Sequence, residues 1–187
     1  MLVLKRLIFL TGQPGVGKTS ILLKVVDELK KKGYKIGGMI SSEARLGGIR
    51  VGFEIIDIHT GRKGWLAHAD QATGPRVGRY RVNRNDLDAL GANSILEAEK
   101  NADVIVADEI GPMELFSSAF RQSIVVAIKS GKPLLGVIHQ TANDPLITAV
   151  KVDKNTEILE VTNENREGLC KVIIDMILQL LQNPKKM

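Results

Sequence analysis

The sequence predicts an α/β fold: a mainly parallel sheet between two layers of helices, with an inserted antiparallel hairpin. Three observations predict it. Short apolar runs rich in strand formers alternate with segments of helical period along most of the chain. A glycine-rich turn, Gly12–Gly17, joins the first apolar run to the first helix. The middle, roughly residues 50–82, breaks the alternation with paired strand-like runs and no helix between them.

Arg6–Thr11 (RLIFLT) is the first strand. Ile21, Leu22, Val25, Val26 and Leu29 then recur at helical spacing, and Lys30–Lys32 with Gly33 close that helix. Lys35–Ser41 reads as a weak strand with two glycines, and Arg45–Gly48 as a turn. Val51–His59 and Gly64–His68 flank Thr60–Lys63 as a hairpin, followed by a short strand at Arg79–Val82. Arg84–Glu99 is helical, with Leu87, Leu90 and Ile95 inward and Gly91 weakening the pattern. Asp103–Ala107 (DVIVA) is a buried strand, Glu114–Lys129 a helix closed by Gly131, and Pro133–Ile138 another buried strand. A short helix follows Pro145, and Thr156–Val161 is the last strand. Leu169 to Leu180 form an amphipathic final helix, with Asn183–Met187 a frayed tail.

The 187 residues, 44% hydrophobic and 25% charged, suit one domain over 1–187 with a sizeable core and exclude disordered or collagen-like chains. The single cysteine, Cys170, excludes an intrachain disulfide and a cysteine-based zinc site. Met1–Leu10 is too short and too charged for a signal peptide, and no stretch reaches the roughly 18 apolar residues of a membrane helix. A cytoplasmic protein without a membrane partner is expected, and a monomer, although nothing in the sequence sets an oligomeric state. The net charge of +5 suggests an anionic partner. Residues 1–50 carry ten Lys/Arg against three Asp/Glu, so the excess lies in the first quarter. With aromatics at 4% and no RNA motif, that anion is a nucleotide rather than a nucleic acid.

Gly12-Gln13-Pro14-Gly15-Val16-Gly17-Lys18-Thr19, then Ser20, is a phosphate-binding loop between a strand and a helix. Glycines let backbone N–H groups turn in around phosphate oxygens, and the helix N-terminus adds its positive dipole end. Lys18 would neutralise β- and γ-phosphates, and the Thr19 hydroxyl would bind Mg²⁺. Asp108, at the end of Val104-Ile105-Val106-Ala107, is the second metal-side carboxylate. Glu109, next along, is the candidate to orient or deprotonate an attacking water. Carboxylate, metal and water together point to hydrolysis. A nucleoside or nucleotide kinase, or a nucleotide-dependent switch that binds a protein or RNA, would share the loop and the size. The Asn-Lys-x-Asp segment of guanine readers is absent.

These residues resemble the THEP1 family of small P-loop nucleoside-triphosphatases nearly end to end. The matching segments are Thr11–Thr19, Glu43–Arg45 with Arg50–Phe53, Val77–Tyr80, Asp108–Gly111 with Met113–Ser117, and Val161-Thr162 with Glu164–Arg166. The resemblance implies a P-loop three-layer sandwich that uses Mg²⁺ to hydrolyse ATP, GTP, CTP and UTP to diphosphates, slowly and with broad base choice. It ranks Arg45 and Arg50 first as cations for the transition state, ahead of Arg79, Arg84 and Arg166. The sequence departs from the pattern at Pro112, where lysine is expected, and at His139, where many relatives have proline. His139 ends a strand, placed either to face the γ-phosphate or to be a polar strand end. For the base, the Thr162–Arg166 loop is one candidate; Trp65, on the inserted hairpin, is placed either to stack on a base or, as the favoured reading, to pack in the core.

Overall fold

Five consecutive buried residues in β1 (Leu7–Thr11) send alternate side chains to opposite faces, Leu7 and Phe9 into one apolar layer, Ile8 and Leu10 into the other. A strand apolar on both faces belongs mid-sheet, covered on both sides. The computed structural model, which describes residues 4–183, has this arrangement. The further strands are β2 (Ile36–Leu46), β3 (Ile49–Asp57), β4 (Lys63–His68), β5 (Arg76–Val77), β6 (Tyr80–Val82), β7 (Val104–Ile110), β8 (Leu134–Ile138) and β9 (Thr156–Glu160). They form one nine-stranded sheet in the order β5-β6-β4-β3-β2-β7-β8-β1-β9. β2, β7, β8, β1 and β9 run parallel, and β3, β4, β6 and β5 continue outward from β2 antiparallel. β8 therefore separates β1, which feeds the phosphate loop, from β7, which carries the carboxylates.

Two apolar layers clamp the sheet. On one face α1 (Lys18–Lys31) and α6 (Arg166–Gln182) bury Leu22, Val25, Leu29, Ile173 and Ile177 against Ile8, Leu10, Val104 and Val106. On the other, a π-helical turn (Leu87–Ala92) that follows the short α2 (Arg84–Asp86), with α3 (Asn93–Asn101) and α4 (Ser118–Lys129), covers Phe9, Met39, Ile55 and Ile105. α5 (Pro145–Val152) leads into β9. Among the described residues, no helix is long and apolar enough to cross a membrane.

Four details depart from the periodicities. The expected turn at Arg45–Gly48 shrinks to Gly47-Gly48, both at positive φ (56° and 80°), a two-residue hairpin turn that matches strand twist. Pairing thus continues to Leu46, and Arg45 lies in β2. The insertion is larger than one hairpin, because the edge of β2 recruits four antiparallel strands. The helix expected at Arg84–Glu99 is three pieces, with Gly91 close enough to Met39 that a Cβ would stand 3.2 Å from its sulfur. The helix expected from Glu114 starts at Ser118, because the Ser117 hydroxyl caps it by accepting from the Phe120 N–H (2.8 Å), leaving Glu114–Phe116 as a 3₁₀ turn. The frayed tail expected over Asn183–Met187 lies, beyond Asn183, outside the described residues.

Candidate active site

β1 hands the chain to a loop built on glycine. Gly12, Gly15 and Gly17 all have positive φ (137°, 78° and 104°). Gly12 is also pressed on the end of β9, where a Cβ would stand 2.6 Å from the Val161 carbonyl oxygen. Gly17 begins α1 without a side-chain cap, and the first turn holds no acidic residue, so its N–H groups and positive dipole end are open to an anion. Lys18 Nζ donates to the carbonyls of Gly12 (2.8 Å) and Gln13 (3.0 Å), lying back across the loop. Gln13, Pro14 and Gly15 are exposed, Val16 and Thr19 half-buried, and Ser20 exposed in the first turn.

Asp108 and Glu109 lie on β7, which runs past its expected end at Ala107 to Ile110. The register against β8 shifts between Ala107 and Ile110, and the Asp108–Glu109 peptide is cis. Asp108 is 1% exposed and its Oδ2 has no hydrogen-bond partner. Burial pushes its carboxyl up to about 7, against the Thr19 hydroxyl, which favours the charged form; Glu109 adds to the rise and Lys18 opposes it. A buried, unpartnered carboxylate oxygen beside a hydroxyl is a hard-oxygen pair of the kind Mg²⁺ takes alongside phosphate oxygens, so these residues fit that ion.

Burial raises the Glu109 carboxyl as well, opposed by His139 and Lys18. Glu114 is the site's unexpected member. Its place at the start of an expected helix suggests a solvated first-turn acid, yet it is 4% exposed. Burial, then the charge of Glu109, pushes it well above the ordinary carboxylate range, and its own and the Gly111 backbone N–H groups oppose that rise. Gly111 makes the crowding possible: a Cβ there would meet Glu109 Oε1 at 2.7 Å and Glu114 Oε2 at 3.2 Å. The signal in the sequence was the acid between Met113 and Leu115, three residues beyond Gly111.

Lys18, Glu109, His139, Gly12, Gln13 and Thr141 border one cavity of about 400 Å³ at the mouth of the loop. His139 follows β8, and its Nδ1 accepts from the N–H groups of Ala142 (3.0 Å) and Thr141 (3.4 Å). A second cavity of about 330 Å³ lies between Gln13–Val16 and the Thr162-Asn163-Glu164 loop after β9. Glu109 borders the first cavity, Val16 borders the second, and Asp108 meets the Thr19 hydroxyl and the charges of Lys18 and Glu109, so the phosphate loop and both expected carboxylates converge.

Arg45 and Arg50 stand elsewhere. They share a different, more open cavity with Arg79 and Tyr80, and neither borders the cavity beside Lys18. Arg45 Nη2 and Arg50 Nη1 each bind Glu43 (2.6 and 2.7 Å), and Arg50 Nε donates to Tyr80 Oη (3.0 Å). Arg79 Nε donates to the same hydroxyl (3.0 Å). Trp65 also lies off the phosphate cavity, edge-on to His68 at 4.5 Å between ring centres.

The family described as NTPase matches residues 7–174. The nucleoside-triphosphatase THEP1 of Thermofilum pendens is 42% identical over 161 residues, 86% of this chain and 88% of its own. The chain belongs to the THEP1 family. The THEP1 of Methanosarcina acetivorans is also 42% identical, over 93% of this chain and 98% of its own. Among solved structures, THEP1 from the hyperthermophile Aquifex aeolicus superposes with a TM-score of 0.78 at 29% identity, covering 91% of this chain and 98% of that one. A human cancer-related nucleoside triphosphatase gives 0.79 at 33%, covering 93% and 98%. Against the THEP1 pattern, Pro112 is exposed beside Gly111, so the ammonium expected there is replaced by a ring with no charge and no N–H.

Proposed function

We propose that this THEP1-family protein hydrolyses nucleoside triphosphates to diphosphate and phosphate in the cytoplasm, with Mg²⁺ and with little choice of base. The carrying observation is that the Lys18 ammonium and the Glu109 carboxylate border one cavity at the mouth of the phosphate loop. That supports reading Lys18 as the phosphate-neutralising cation and Glu109 as the water-activating carboxylate.

The loop N–H groups and the N-terminus of α1 hold the phosphates. Lys18 exchanges its two carbonyl partners for phosphoryl oxygens. Asp108, with the Thr19 hydroxyl, would hold Mg²⁺, which when bound neutralises phosphoryl charge and helps to align the γ-phosphoryl group. Glu109 orients a water in line and takes its proton. Glu114 and Gly111 keep the Glu109 side chain in place from behind. The base and ribose sit in the second cavity, whose Asn163 and Glu164 wall is exposed. An open polar wall of this kind supports weak discrimination among the four bases.

The test is phosphate release from ATP, GTP, CTP and UTP with Mg²⁺ and with EDTA. Release from all four, lost in EDTA, is expected. Transfer to a nucleoside or monophosphate acceptor in place of release would overturn hydrolysis. Release from one base alone would overturn the broad pocket.

A further inference from the structure

His139 is tied down at every point but one. Its backbone N–H donates to the Ile110 carbonyl (3.1 Å), which joins the end of β8 to the end of the carboxylate strand. Lys151 Nζ donates to the carbonyls of His139 (3.3 Å) and Gln140 (2.9 Å). Nδ1 accepts from the N–H groups of Thr141 and Ala142, which leaves the proton of the neutral ring on Nε2. Among the described residues, Nε2 has no hydrogen-bond acceptor, and the half-buried ring borders the cavity shared by Lys18 and Glu109. A role as a loop cap explains Nδ1 and leaves Nε2 unexplained. An N–H donor on a ring held by three backbone ties at the border of a phosphate cavity is a preorganised electrostatic group, effective because it needs little reorientation during reaction.

We propose that His139 is a catalytic residue of the hydrolysis, donating its Nε2–H to a γ-phosphoryl oxygen as the transition state gains charge there. This deepens the hydrolytic reading above and rests on it. In the step, the water oxygen bonds to the γ-phosphorus as the bond to the β–γ bridging oxygen breaks. That bond's electron pair leaves with the diphosphate, and the water proton passes to Glu109. His139 keeps its proton throughout, so it is a stabiliser and not an acid or base.

The experiment measures kcat and nucleotide Kd for wild-type protein and for His139→Ala, His139→Asn and His139→Asp, with melting temperatures alongside. Alanine should lower kcat about 10²-fold, the usual scale for one lost oxyanion donor, and move Kd by less than about threefold. Asparagine, which offers both an acceptor for the loop N–H groups and a donor for the cavity, should stay within about tenfold of wild type. Aspartate can cap the loop equally well and has no proton to donate, so it should fall at least as far as alanine. If alanine destabilises the loop, the asparagine–aspartate pair decides. An alanine variant with kcat within about threefold of wild type, or asparagine and aspartate falling together, would overturn the proposal. Wild-type protein that releases no phosphate would instead fail the hydrolytic reading itself.

Discussion

Two charged clusters sit on one sheet and behave in opposite ways. On the parallel half, the buried Asp108 and Glu114 crowd their carboxyl groups around the half-buried Glu109; Lys18 acts on Asp108, and His139 and then Lys18 act on Glu109. On the antiparallel arm, Arg45, Arg50 and Arg79 gather three guanidinium groups with Glu43 between two of them. All three acids of this group are pushed up by burial, whereas hydrogen bonds from Arg50 and then Arg45 hold Glu43 below its usual range. Burial is the difference. The arm's cations are half in water, with side-chain exposures of 55% for Arg45 and 40% for Arg50, so they are screened and already paired. The buried acids are uncompensated and gain most when cations and phosphate enter. Like charges crowded in the dry interior therefore mark the chemical site better than a larger number of charges at the surface.

The comparison breaks most easily at the parallel half. Lys18→Ala should reduce turnover by at least about 10³-fold. Glu109→Gln should cost about 10²–10⁴-fold while nucleotide still binds, as read by single-turnover assay and nucleotide titration. A Glu109→Gln protein turning over at the wild-type rate would remove the carboxylate from the mechanism.

Stability sharpens the same contrast. Asp108 titrates at about 7 in the folded protein and from 3.8 without its surroundings, so between those values the folded state holds a proton that the unfolded chain has lost. Without ligand or metal, the contribution of Asp108 to stability is therefore fullest below about pH 4 and is lost as pH rises to about 7, by up to about 4 kcal/mol. Asp108→Asn should flatten this decline in denaturant melts at pH 5 and pH 8 and be the more stable protein at pH 8. Glu109 and Glu114 act in the same direction and leave a residual slope. An unchanged slope would mean that Asp108 is charged and solvated in the folded state.

A smaller effect comes from Gly111→Ala. The added carbon displaces Glu109 Oε1, so kcat should drop about tenfold with nucleotide affinity nearly unchanged. Equal loss of both would point to collapse of the loop. The smallest effect belongs to the arm. Arg45→Ala and Arg50→Ala each remove an exposed pair and should cost about 1 kcal/mol or less in stability. Because neither borders the Lys18 cavity, kcat should stay within about twofold. A tenfold drop would show that the arm bends over the nucleotide during turnover and that these arginines serve the transition state.

The phosphate loop was legible in the sequence because its requirements are local. Glycines at fixed spacing, an apolar run before and a helical period after are properties of neighbours in the chain. Asp108 and Glu109 were legible for a similar reason, since four apolar residues mark a buried strand that ends at an acid. Glu114 and His139 were harder. A glutamate at the start of an apolar helix, or a histidine at a strand end, has the same local pattern whether it faces solvent or a cavity. Arg45 was misplaced into a turn because Gly47-Gly48 suffices to reverse the chain.

What the sequence by itself determined is the order of strands and helices, the phosphate loop and the acidic end of β7. Each follows from residues within one turn or strand of one another. What only the tertiary structure decided is which charges share a space. β8 enters between β1 and β7 and brings His139 to the cavity, the 3₁₀ turn buries Glu114 beside Gly111, where Glu109 also lies, and the antiparallel arm carries Arg45 and Arg50 to a cavity of their own. The physical reason is that charge and burial act through space: a group's solvent and partners come from whichever segments the fold brings beside it, and local periodicity does not encode them.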